Sequence, residues 1–231
     1  MLAAGSSQRF GKDNKLLANW QGEAMILSTL NKLLESKVSD IVVVTGSNAD
    51  ALHEVLASQF ESASLRQGES SVSAQFHCRI QNKVIRLIHN PLHASGLASS
   101  LKSAISELLS QWQKADNTNA AVPSVLICLG DMPVVSPSTI NQLIQTHDGQ
   151  AAEPTAKRFS AFVPTFEGKR GNPVLLQADL FDALLAIEGD RGARDLLSAN
   201  PDIVQSIPVD DAGVLVDIDT QSELDKHQSA P

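Results

Sequence analysis

The chain has 231 residues, 42% of them hydrophobic, and a net charge of −8 with an isoelectric point near 5.2. That acidity argues against a general nucleic-acid binder, so a polyanionic ligand would need a local basic patch and a metal. No apolar run approaches the roughly 20 residues that span a bilayer, no signal peptide precedes the first glycine turn, and Cys78 and Cys128 lack metal-ligand or disulfide spacing, so a reduced cytoplasm is the expected setting.

Leu2-Ala3-Ala4-Gly5-Ser6-Ser7-Gln8-Arg9-Phe10-Gly11, followed by Lys15, opens the chain. Gly5 and the small serines let backbone N–H groups approach phosphate oxygens, while Arg9 and Lys15 supply the positive charge a nucleoside triphosphate demands. The string is neither a Walker loop nor a dinucleotide fingerprint. Only Met1 to Ala4 precede Gly5, which is short against a typical strand of about 5–6 residues, so further strand residues are expected upstream.

Ile26, Leu27, Leu30, Leu33 and Leu34 then recur at helical spacing, Ile41 to Thr45 form a β-branched strand, and Leu52, Val55, Leu56 and Phe60 mark a second helix. Residues 61 to 83 read as a Ser- and Gln-rich excursion with room for an edge hairpin. Val84 to Ile88 is the next strand, Leu97 to Leu109 the clearest amphipathic helix, Gln113 to Ser124 a polar loop and Val125 to Leu129 a buried strand. Beyond residue 150, Ser160 to Thr165 and Val174 to Leu176 read as strands. Short helices are expected around Leu180 to Leu185 and Arg191 to Leu197, with a last strand at Val214 to Ile218 and a last helix from Gln221. The alternation predicts a single α/β domain with a mostly parallel sheet. Residues 1–150 form its nucleotide half and 151–231 its acceptor half.

Gly130-Asp131-Met132-Pro133 follows the buried strand, where open α/β sheets bind ligands. Asp131 there can be a hard oxygen ligand for Mg²⁺ or simply begin a turn before Pro133; its sequence context supports both. Asp217-Ile218-Asp219-Thr220 offers a second carboxylate, with Asp217 and Asp219 on one face of a strand, and Asp219 or Thr220 can equally cap the last helix. Ser95, Gly96 and Ser99 begin the long helix and can contact a nucleotide or serve as caps. His89 and His93 read as loop or packing residues. Lys169-Arg170-Gly171-Asn172-Pro173 and Gly189-Asp190-Arg191-Gly192-Ala193-Arg194 are basic, glycine-punctuated loops suited to an anionic acceptor.

Together these pieces resemble the nucleotidyltransferases of molybdenum cofactor biosynthesis, most closely the cytidylyltransferases. The match runs in order through the Leu2–Gly11 segment and Lys15, Val44-Thr45-Gly46, Asn90 to Ser100, Gly130-Asp131-Met132-Pro133, Arg170-Gly171-Asn172-Pro173-Val174, the Gly189 loop and Asp217-Ile218-Asp219-Thr220. The resemblance implies a three-layer, Rossmann-like, glycosyltransferase-A-like fold. It implies CTP on Leu2, Ala3, Ala4, Gly5 and Ser6, with Gly46, Asn90, Ser95, Gly96, Ser99 and Gly130 also in the nucleotide site. Arg9 and Lys15 would act on the phosphates; Asp131 with Asp219, and Asp217 beside them, would hold Mg²⁺ or Mn²⁺. Arg170, Gly171, Asn172, Asp190, Arg191 and Arg194 would meet the acceptor, molybdenum-molybdopterin, and a molybdoenzyme would receive the product. The Ala-Ala-Gly form resembles cytidylyl rather than guanylyl members, and Asn172 stands where members often carry histidine. Transfer to a sugar phosphate, or a carrier that binds the cofactor without turnover, are the competing expectations.

Overall fold

The structure is a computed structural model that describes residues 1–5, 7, 9–10, 14–59, 74–80, 82–114, 124–150 and 157–228. In chain order its main elements are β1 (Leu2–Ala3), β2 (Asn19–Trp20), β3 (Glu23–Ala24), α1 (Met25–Glu35), β4 (Asp40–Thr45), α2 (Ala49–Gln59), β5 (Ala74–Ile80), β6 (Lys83–His89), α3 (Leu97–Lys114) and β7 (Val125–Ile127). These are followed by α4 (Pro137–Gln150), β8 (Ala161–Phe166), β9 (Lys169–Arg170), β10 (Val174–Leu176), α5 (Phe181–Ala186), α6 (Ala193–Ala199), β11 (Val204–Pro208) and α7 (Gln221–Gln228).

The expected α/β domain is present. β1 pairs in parallel with β4, and β4 with β6. On its other side Leu2 N donates to Cys128 O at 2.8 Å, and Gly130 N donates to Leu2 O at 2.9 Å. β1 thereby joins two ladders into one sheet of order β5-β6-β4-β1-β7-β10-β8-β11. The centre is parallel, whereas β5 and β10 are antiparallel to their neighbours. β5 forms the edge hairpin with β6; residues 61–73 and 81 of the Ser- and Gln-rich excursion, and Phe60 of the expected second helix, lie outside the described residues.

Burial on both faces explains why β4 is an unbroken apolar run. Ile41 and Val43 pack with Leu30 of α1, Leu52 of α2 and Ile140 of α4. Val42 and Val44 face the other way, onto Leu101 of α3, Leu184 of α5 and Leu197 of α6. The alternation is the two-residue period of a strand, and it produces three layers. Among the described residues no helix is long and apolar enough to cross a membrane.

Val214 to Ile218, expected as the last strand, instead begins in a 3₁₀ turn at Ala212–Leu215 and continues as extended chain. Asp211 caps that turn by accepting from Gly213 N at 3.0 Å, and Ile218 N donates to Asp131 O at 3.0 Å. Local capping and pairing with a loop thus outcompete β-propensity. The edge position goes to β11, which pairs in parallel with β8. β11 and α4 are elements to which the sequence reading assigned nothing.

Candidate active site

Chain segments leaving β1, β4, β6 and β7 emerge at the carboxyl end of the parallel sheet, where α/β folds bind ligands. After β1 the backbone runs through Ala4 and Gly5 to Ser7, whose Oγ accepts from Lys15 N at 3.3 Å. Ser7 Oγ also donates to Asn14 Oδ1 at 3.3 Å. Asn14 is buried, and its Oδ1 caps the turn Lys15–Leu17 by accepting from Leu16 N at 3.0 Å. The capped turn fixes Lys15's backbone, so its side chain is aimed rather than free.

Lys15 Nζ lies 2.5 Å from Asp131 Oδ2 and 2.6 Å from Asp219 Oδ1. Arg9 Nη1 lies 2.7 Å from Asp219 Oδ2, on a side chain that is 79% exposed. Two carboxylates 88 positions apart therefore converge on one ammonium. Thr29, buried on α1, donates from Oγ1 to Gly130 O at 2.9 Å and fixes the turn that carries Asp131. Thr220 and Glu223 form a capping box at the start of α7: Glu223 Oε2 accepts from Thr220 N at 2.9 Å, and Thr220 Oγ1 accepts from Glu223 N at 3.3 Å. Thr220 does the capping, and the Asp219 carboxylate is left to Lys15 and Arg9.

Burial works against the Lys15 charge, but the Asp131 and Asp219 carboxylates outweigh it and raise its pKa. The hydrogen bond from Lys15 holds Asp219 below the usual carboxylate range, assisted by the charges of Lys15 and Arg9. Asp217 is exposed yet shifted upward, first by partial desolvation and then by the negative charges of Asp219 and Asp131. Asp131 Oδ1 is buried with no hydrogen-bond partner among the described residues. Such an atom is costly unless a ligand satisfies it.

A cavity of about 600 Å³ opens over this cluster. Its lining includes Leu2, Ala3, Ala4, Gly5, Arg9, Lys15, Gly96, Asp131, Asp190 and Asp219, together with Ser7, His93, Leu97 and Ser100. Ser6 lies outside the described residues. Asp217, Gly46, Asn90, Ser95, Ser99 and Gly130 are not among the lining residues. Several of these build the walls instead. Asn90 donates to Ser99 Oγ at 2.8 Å, Ser95 Oγ to Leu92 O at 2.7 Å and Ser99 Oγ to Gly96 O at 2.8 Å. A Cβ on Gly46 would lie 2.5 Å from His93 Cβ and 2.8 Å from Ala4 O, so glycine there lets the His93 turn close on the loop after β1. Gly96 adopts φ +106°, and a Cβ there would sit 2.4 Å from the Gly189 backbone; this contact brings Asp190 to the rim.

Of the expected acceptor residues only Asp190 lines the cavity. Arg170, Arg191 and Arg194 are exposed outside it. Gly171 and Asn172 pack against the 212–215 turn, with Asn172 N donating to Val214 O at 2.9 Å. Asn14 and Thr29 are site residues that the sequence reading did not name, whereas Ser7 belongs to the Leu2 to Ser7 loop it expected to hold the nucleotide. Asn14 alone had a legible signal, an N-cap residue directly before Lys15-Leu16-Leu17.

Comparison with known proteins agrees with this architecture. The chain is 24% identical over 225 residues to molybdenum cofactor cytidylyltransferase of Escherichia coli (strain K12), covering 97% of this chain and 91% of the relative. It is 23% identical over 225 residues to nicotine blue oxidoreductase of Paenarthrobacter nicotinovorans, covering 97% and 92%. In fold it is similar to Rv0371c from Mycobacterium tuberculosis H37Rv, with a TM-score of 0.70 at 19% identity over 99% of this chain and 95% of that one. A manganese complex of Rv0371c superposes with a TM-score of 0.67 at 18% identity, covering 100% and 96%. The family description "MobA-like NTP transferase domain" matches residues 1–204. The chain therefore belongs to the MobA-like NTP transferase family and is a nucleotidyltransferase.

Proposed function

We propose that the protein transfers CMP from CTP to the phosphate of molybdenum-molybdopterin, releasing pyrophosphate and forming a cytosine dinucleotide cofactor. The observation that carries this reading is the convergence of Asp131 and Asp219 on Lys15 Nζ, beside the Gly5 loop in one cavity. Ala3-Ala4-Gly5 and the full-length similarity to a cytidylyltransferase support CTP over GTP.

The residues fit a divalent cation. They are hard oxygen donors held together by the fold, and Asp131 Oδ1 is buried without a partner among the described residues. Asp131 and Asp219 would hold Mg²⁺ or Mn²⁺, with Asp217 alongside, and the bound ion would neutralise phosphate charge; a neighbour of similar fold was solved with manganese. The remaining work falls to the chain. Backbone N–H groups around Gly5 donate to the triphosphate oxygens. Lys15, beside the Gly5 loop, and Arg9, at the rim, would direct their positive charge to the phosphates. The acceptor phosphate is already ionised at neutral pH, so its oxygen attacks the α-phosphorus of CTP in line and pyrophosphate leaves without a side-chain base. Orientation and charge neutralisation supply the rate.

Residues 1–150 form the nucleotide half and 151–231 the acceptor half of this reading. Gly171, Asn172, Arg170, Asp190, Arg191 and Arg194 form the acceptor's approach, and a cytoplasmic molybdoenzyme takes the product. The similarity to a relative named as an oxidoreductase favours one second reading, redox turnover in the same cavity. Incubation with each of the four triphosphates, Mg²⁺ and molybdenum cofactor separates the two. The transferase reading expects pyrophosphate and a nucleotide-bearing cofactor with CTP; a preference for GTP would overturn the base assignment. Nucleotide binding without pyrophosphate from any triphosphate would overturn the transfer itself.

A further inference from the structure

Three segments build the carboxylate cluster, and each is fixed through its backbone. Asp131 follows Gly130, whose carbonyl accepts from Thr29 Oγ1 at 2.9 Å. Asp219 follows Ile218, whose N–H donates to Asp131 O at 3.0 Å. Lys15 stands in the capped turn Lys15–Leu17, with its N–H donated to Ser7 Oγ at 3.3 Å and its carbonyl accepting from Ala18 N at 3.1 Å. The meeting of one ammonium with two carboxylates is therefore set by the fold, unlike a surface pair of two free side chains. The Lys15 and Asp131 side chains are only 13% and 17% exposed, so solvent and salt screen their attraction little.

The carboxylate oxygens are nearly all engaged. Lys15 Nζ holds Asp131 Oδ2 and Asp219 Oδ1, and Arg9 Nη1 holds Asp219 Oδ2. Asp131 Oδ1 alone of the four has no partner among the described residues, and it is buried. The position in contact with one oxygen of each carboxylate is thus taken by an ammonium. A divalent ion bridging Asp131 and Asp219 needs the same pair of oxygens, at about 2.0–2.1 Å for Mg²⁺. It cannot share them with Lys15 Nζ, because like charges a few ångströms apart repel strongly in a partly buried site. The two cations also leave little net negative charge at the cluster, even with Asp217 beside it, so a free divalent ion is drawn weakly. A triphosphate alters both effects. Its negative charges compete with the carboxylates for Lys15 and Arg9, and its oxygens add ligands for the ion.

We propose that Lys15 is an internal counterion that bars free divalent cations from Asp131 and Asp219 until a triphosphate draws the ammonium away, so that metal and nucleotide enter together. Before that exchange the same ammonium holds the two carboxylates side by side against their mutual repulsion. The coupling is reciprocal: whatever CTP adds to metal affinity, the metal adds to CTP affinity. The inference deepens the proposed function and rests on its placing of a divalent cation on Asp131 and Asp219.

The test measures Mn²⁺ binding, without turnover, to the native chain, Lys15→Met and Lys15→Gln, by electron paramagnetic resonance of the unbound ion. Mn²⁺ alone should bind both variants about tenfold tighter or more than the native chain, the scale of removing one positive charge a few ångströms from a divalent ion. Adding Asp131→Asn to Lys15→Met should abolish that gain. CTP should tighten Mn²⁺ binding to the native chain by about tenfold or more, read by water-proton relaxation, and by much less in Lys15→Met. Equal affinity for Mn²⁺ alone in the native chain and both variants, a gain that survives Asp131→Asn, or a CTP effect of the same size with and without Lys15 would each overturn the proposal. Pyrophosphate release is a separate readout: its absence alongside the expected Mn²⁺ results would overturn the transfer and leave the counterion role standing.

Discussion

At Gly5 an added Cβ would meet no atom of the described residues within 4 Å, so their packing does not require glycine there. In the proposed function glycine serves a triphosphate that approaches the backbone closely. Gly5→Ala should therefore leave Tm within about 2 °C, given the small cost of an unstrained surface change, while weakening CTP binding by about tenfold or more, measured by calorimetry. Lys15 and Asp219 give a second expectation, for the metal-free protein. A carboxyl with a depressed folded-state pKa stabilises fully above its unfolded value and loses that contribution as pH falls through the folded one; a lysine with a raised pKa contributes fully below its unfolded value and loses it in alkali. With Asp219 depressed and Lys15 raised, the cluster stabilises between about pH 5 and 9 and weakens below about pH 4. Lys15→Met should shrink the acid-side drop in Tm, and identical pH profiles would contradict the pairing. Lys15 was legible from the glycine-rich opening segment and Asp131 from the end of a buried strand, while Asp219 was found through an expected strand that the structure replaces with a turn and extended chain. Their convergence was expected only from the family resemblance, because residue patterns alone do not reveal that Ile218 N reaches Asp131 O across the fold.

The Asp131 turn is held at the level of elements, by α1 rather than by its own strand. Thr29 Oγ1 donates to Gly130 O from a side chain that is 1% exposed. Thr29→Val keeps the shape and leaves that carbonyl without its side-chain donor. It should cost about 1–2 kcal/mol in chemical denaturation, with turnover falling as the carboxylate loses its support; unchanged stability would show that the bond contributes nothing. Helices α1 and α3 could be read from their 3.6-residue apolar period, and strands β4 and β6 from short apolar runs rich in β-branched residues. α4 could not, because Ile140, Leu143 and Ile144 are its few apolar residues in a polar stretch that begins at Pro137. Val214 to Ile218 was misassigned for the opposite reason: its β-branched residues match a strand, but Asp211 caps them into a turn and the neighbouring edge is filled by β11.

Across the whole molecule, the site lies at one end of the sheet. The segments that follow β1, β6 and β7 meet Asp190 and Asp219 around the cavity, so the site exists only when parts far apart in the chain are brought together. In the proposed function that dependence lets a chain of net charge −8 hold a triphosphate: local cations, and a divalent ion on Asp131 and Asp219, would act where the overall field repels. The sequence order of the motifs announced the family, while the acceptor side was less legible, since Arg170, Arg191 and Arg194 proved exposed and Asp190 alone reached the cavity rim. The central claim is that Asp131 and its carboxylate partner make the transfer centre. It is tested most directly by the rate of pyrophosphate release from CTP in the presence of Mg²⁺ and molybdenum-molybdopterin, comparing the native chain with Asp131→Asn. A fall of about 10²-fold or more is expected, the scale of losing one group that stabilises transition-state charge, and a near-native rate in a folded variant would contradict the account.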